Sequence, residues 1–183
     1  MTPREVAEFT ELRATIRERG SLRIWLFFAI LGAWAASTIA TAALAALPIA
    51  ALLPLLLLAG GFEAVFQLHT GVERIGRYLQ VFYDNADGSL PAREWEHMAM
   101  AYGQAYSGGP DPLFARYFIV AIVLNFIPVV LAEPVRLEVA VVGAAHLLVA
   151  GHLLVARRTA ARQRALDLER FQRIKQDAVE TRH

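Results

Sequence analysis

Four long apolar stretches, at residues 22–46, 48–69, 114–132 and 136–156, constrain this chain more than any other feature. Each is about as long as the ~20 helical residues needed to cross a hydrocarbon core ~30 Å thick. Lipid offers no hydrogen bonds to the backbone, so such segments satisfy their N–H and C=O groups internally, as helices. The expected fold class is therefore an all-α integral membrane protein. Its four spans pair as two hairpins, because Pro48 in one case and Ala132-Glu133-Pro134 in the other leave room only for tight turns between them.

Charge gives the direction. Lys and Arg number 18 in the whole chain, and all but Arg136 fall in residues 1–23, 70–116 and 157–183. Basic residues are retained in the cytoplasm during insertion. This split predicts a multi-pass protein of the cell membrane, an inner membrane where there are two, with the N-terminus, the central segment and the C-terminus all cytoplasmic. Ala43 and Ala46 would suit a signal-peptide cleavage site, but the apolar run is too long for an h-region. The absence of cysteine excludes disulfides, thiolate metal sites and thiol chemistry.

The 183 residues read as one membrane domain with cytoplasmic additions. Thr2-Pro3-Arg4-Glu5 has the form of a capping box with Pro at the first helical position, opening an amphipathic helix over 3–19. Gly20 is expected to end that helix and Ser21 to cap the first span. Val72, Ile75, Leu79 and Phe82 continue the second span's helical stripe into the cytoplasmic segment 70–113. Ala161, Ala165, Leu168 and Phe171 do the same for the fourth span over 157–183, with fraying expected beyond about residue 172. Residues 90–106 read as a short interfacial helix bearing Trp95, Met98 and Tyr102 on one face.

Residues 83–94 resemble an EF-hand calcium loop, with Asn85, Asp87 and Glu94 at ligand positions and Gly88 at the turn position. Tyr83 replaces the expected first carboxylate and Pro91 supplies no side-chain oxygen at the ninth position. The competing reading is an Asp-Asn-Gly turn before a helix cap. Glu94 and His97 have the Glu-x-x-His spacing of helical di-iron sites, but no second copy of that motif exists.

Polar residues inside the spans are costly and usually face the bundle interior. Measured at ~1.5 Å per residue from the outer turns, Glu63 and His152 lie at a common depth near the cytoplasmic boundary, with Arg116 close by. His146 falls nearer the midplane and Asn125 nearer the outer face. Glu63, Arg116, Asn125, His146 and His152 thus form the candidate intramembrane polar layer. Its alternatives are hydrogen-bonded helix packing, a transition-metal or haem site, and an ion or proton path. Just inside the membrane, His69, Glu73, Arg77 and Gln80 line one side of the projecting second span, beside Arg74 and Tyr78; this is the expected partner or ligand surface.

No nucleotide, nucleophile or zincin motif is present. The sequence favours a non-enzymatic scaffold or accessory subunit without a cofactor. Its partners would be the bilayer, a second copy or another membrane protein met through small-residue faces such as Gly32, Ala36 and Ala40. Nucleic acid is not an expected partner. The alternatives are an oligomeric channel or small transporter with a polar path through Glu63, Asn125, His146 and His152, and a metal- or haem-binding membrane protein.

Overall fold

The computed structural model describes residues 2–43, 47–83, 111–132 and 135–181. The calcium-loop residues Asn85, Asp87 and Glu94, and the helix expected over 90–106, lie outside them. Among the described residues the structure is helical, with no strands: α1 (Pro3–Ala42), α2 (Leu52–Phe82), α3 (Ala115–Leu131) and α4 (Arg136–Glu180). A 3₁₀ turn at Pro48–Ala51 leads into α2. The helix containing Pro3–Ala42, that spanning Pro48–Phe82 and that of Arg136–Glu180 are long and apolar enough to cross a membrane; α3 is a shorter apolar helix of 17 residues.

Local chemistry accounts for the ends. The Thr2 N–H donates to Glu5 Oε2 at 2.6 Å, and the Glu5 N–H to Thr2 Oγ1 at 3.3 Å, completing the capping box. At α3, Asp111 accepts from the N–H groups of Leu113 and Ala115 through its two oxygens. Phe114 sits between them at φ 52°, a conformation unusual for a bulky side chain. Its ring stacks on Phe27 with centroids 4.3 Å apart, which helps to hold it there. Pro54 falls in the first turn of α2, where no helical N–H is lost. Pro128 falls inside α3 and removes the hydrogen bond to the Leu124 carbonyl.

Two expectations about helix ends are corrected. Gly20 does not stop the first helix, which runs unbroken from Pro3 to Ala42. A helical Gly costs only ~1 kcal/mol relative to Ala, less than opening a new set of unpaired backbone groups on either side of the break. Nor does α4 end at residue 172; the helix is continuous to Glu180. Phe171 packs edge-on against Tyr78 and near Phe82, and Lys175 Nζ donates to the Val81 carbonyl at 2.6 Å.

The chain divides into two compact units. The first comprises residues 1–20, 69–110 and 159–183, and the second residues 21–68 and 111–158. The second is held by Phe62, Phe118, Leu58, Leu153, Val129 and Val142, all essentially inaccessible. Phe118 meets both Phe27 and Phe62 in edge-to-face contacts, linking α1, α2 and α3 through one aromatic cluster. Gly61 lets α1 approach α2: a Cβ there would lie 2.5 Å from Ile30 Cγ2, on a stiff β-branched side chain.

Candidate functional site: two polar clusters of the apolar unit and a charged helix pair

In the apolar unit, Asn125 and His146 are 1% and 5% exposed and lie side by side. Trp34 Nε1 donates to Asn125 Oδ1 at 3.2 Å, and Thr38 Oγ1 approaches the same oxygen at 3.3 Å. Asn125 Nδ2 donates to the Ala51 carbonyl at 2.9 Å and meets His146 Nε2 at 3.0 Å. His146 Nδ1 lies 2.8 Å from the Val142 carbonyl.

These contacts admit one assignment of protons. The indole N–H can only donate, so the oxygen of Asn125 faces Trp34; the Ala51 carbonyl can only accept, so the amide nitrogen faces Ala51. His146 Nε2 is then an acceptor, and Nδ1 carries the proton given to Val142. A second ring proton would set two donors face to face. Asn125 thereby uses both amide hydrogens and takes the indole N–H on its oxygen, and it joins α1, the turn leading into α2, α3 and α4.

A cleft of about 330 Å³ lies beside this hub, lined by Thr38, Thr41, Leu47, Pro48, Asn125 and Pro128 among others. The two threonine hydroxyls donate to backbone carbonyls of their own helix, at Trp34 and Thr38.

Glu63 and His152 form a separate cluster. Glu63 Oε1 accepts from Gln67 Nε2 at 2.7 Å, and Oε2 lies 3.4 Å from His152 Nε2. The side chains of His152 and Glu63 are 56% and 44% exposed. The structure thus divides the expected polar layer. Asn125 and His146 are buried together, Glu63 and His152 meet on an outward side of α2 and α4, and Arg116 is exposed in the first turn of α3.

The charged unit contains the expected cytoplasmic stripe. His69, Arg77 and Gln80 are buried, at 3%, 7% and 8% exposure. Glu73 Oε2 lies 2.9 Å from Arg164 Nε and 3.4 Å from Arg77 Nη2, so it stands between two guanidinium groups. Arg77 Nη1 donates to Gln80 at 2.7 Å. Arg164 Nη2 is 3.5 Å from His69 Nε2, which must therefore present its lone pair. Asp167, also buried, reaches Arg74 at 3.4 Å and Arg170 at 3.8 Å. The stripe is largely a helix–helix seam against α4, and Arg74 is its exposed member.

On the N-terminal side, Tyr78 donates to Glu8 at 2.9 Å. Burial, then the Glu8 carboxylate, raises the Tyr78 phenol above its ordinary range; the same two causes raise Tyr83 further. Among the described residues, no group of three His, Asp or Glu side chains is placed to hold a metal ion.

Sequence reasoning missed Trp34 and Thr38, although one signal was available. A tryptophan in the middle of an apolar span carries an N–H that needs an acceptor, and Thr38 follows it one helical turn later. Comparison with protein-family models, with curated proteins and with solved structures finds no match to this chain.

Proposed function

We propose that this chain is a non-enzymatic scaffold or accessory subunit of the cell membrane that works by associating through the outward faces of its apolar helices. It crosses the bilayer four times as two hairpins, with both termini and the charged unit on the cytoplasmic side. At ~1.5 Å per residue α3 is about 25 Å long, slightly short of the hydrocarbon thickness, a mismatch that local thinning accommodates.

The observation that carries this reading is the way the intramembrane polar groups are sorted. Those in the interior satisfy one another through Asn125 and act as glue. Those that stay accessible, Glu63 and His152, lie on an outward face, where an adjoining helix would meet them. Gly32, Ala36 and Ala40 are also exposed along α1, which leaves a small-residue stripe for close helix approach. A polar path through all four residues would instead require Asn125 and His146 to share a surface with Glu63 and His152.

The test is the assembly state in lipid nanodiscs together with ion flux in proteoliposomes. The proposal expects a stable homo-oligomer or a co-purifying membrane partner, with flux at the level of empty vesicles. Saturable ion flux abolished by Glu63→Gln would establish the transport alternative in its place.

A further inference from the structure

Glu63 and His152 carry the strongest unmet demand in the apolar unit. Counted from Pro48 at ~1.5 Å per residue, Glu63 lies ~23 Å into a core of ~30 Å. Polar groups at that depth face protein or water, because lipid tails return none of the solvation lost. Yet both side chains are about half exposed, and their contact, at 3.4 Å, is longer than a charge-assisted hydrogen bond. Asn125 and His146, by contrast, are buried and paired with each other.

The surroundings suit another helix. With 100° per residue, Gly60, Glu63 and Gln67 fall within an arc of about 60° on α2. That arc lies opposite the buried Leu58, Phe62 and Val65. On α4, Leu148, Gly151, His152 and Val155 fall within about 100°, opposite the buried His146 and Leu153. A Cβ at Gly60 or Gly151 would meet nothing within 4 Å, so helix backbones of a partner can come close on either side of the polar pair. The patch holds an acid, a base and an amide with both donor and acceptor. It is therefore complementary to itself, as a two-fold contact requires.

We infer that this face, centred on Glu63, Gln67 and His152 and flanked by Gly60 and Gly151, is the interface with a second copy of the chain. Each carboxylate then meets the imidazole or amide of its partner as well as its own. The inference rests on the associating role proposed above and names the surface that performs it.

The chain has no cysteine, so single cysteines report contacts directly. In native membranes under mild oxidation, Gly60→Cys and Gln67→Cys are expected to run mainly as disulfide-linked dimers. Leu131→Cys, far along α3, should remain monomeric. Adding Gly60→Leu to Gln67→Cys should abolish the cross-link while leaving the helix content of the protomer unchanged, since a Cβ at that glycine meets nothing within 4 Å. Cross-linking through Ala36→Cys in place of Gln67→Cys overturns this interface and leaves the associating role standing. A monomer in nanodiscs with no co-purifying partner, whether bare or carrying a bound anionic lipid, overturns both.

Discussion

At the scale of single residues, Asn125 has the largest expected effect. Asn125→Ala strips partners from Trp34, the Ala51 carbonyl and His146 at once. At ~1 kcal/mol for each interhelical hydrogen bond, the variant should lose about 2 kcal/mol or more of stability in a detergent unfolding titration. Asn125→Asp should be no better, because a carboxylate has nothing to donate to Ala51 or His146. Equal stability of Asn125→Ala and the parent would show that the hub is dispensable. Three groups, Glu5 in the first turn of α1 and Tyr78 and Tyr83 at the end of α2, set opposite pH limits. The Glu5 carboxyl is held below its ordinary 4.5, first by the backbone N–H of Thr2. Its contribution is present above that value and is lost as pH falls through the lowered one. The phenols of Tyr78 and Tyr83 are raised above 10.0, so their contribution is complete below 10 and is lost as pH rises through the elevated values. Tyrosinate absorbance should show two phenols titrating late, and Glu8→Gln should bring both midpoints down.

At the scale of helices, Phe171 and Lys175 hold the last turns of α4 against the end of α2. The ammonium of Lys175, the chain's one lysine, sits on a terminal carbonyl of α2, where the helix dipole favours a cation. Phe171→Ala combined with Lys175→Met should raise amide exchange after residue 171 to that of a free helix end, with little change in the apolar unit. Periodicity showed that these helices continue past the apolar stretches, because Val72, Ile75, Leu79 and Phe82 repeat at helical spacing. The tether at Lys175 was not legible, since one long side chain reaching across to a carbonyl leaves no periodic trace. Gly20 misled for a related reason. A glycine marks a stop only when its backbone turns left-handed, and sequence alone does not reveal that choice. Asn125 and His146 looked ~6 Å apart in depth from their helix positions. Helical side chains lean toward the N-terminus, so Asn125 on α3 leans away from the shared turn and His146 on α4 leans toward it. The two tilts close the gap.

At the scale of the whole molecule, the proposed topology rests on where the arginines fall along the sequence. A cytoplasmic reporter fused after residue 183 should be active, and one inserted between Ala132 and Val135 silent; the reverse pattern would overturn the orientation. The pairing of charges in the other unit predicts modest salt sensitivity, because Glu73 and Asp167 are each shared between two arginines and are only partly open to solvent. Replacing Asp167 by Asn should leave Arg74 and Arg170 to water at small cost, about 1 kcal/mol or less for such exposed cations.

The Asn125 hub also bears on the order of synthesis. Its donors and acceptors come from residues 34, 51, 125, 142 and 146, so the contact set closes only when the last apolar segment has been made. In the proposed topology, an amide in α3 until then faces lipid with its imidazole partner missing. In that topology a chain halted before residue 142 would expose a polar group to the bilayer that the finished chain conceals.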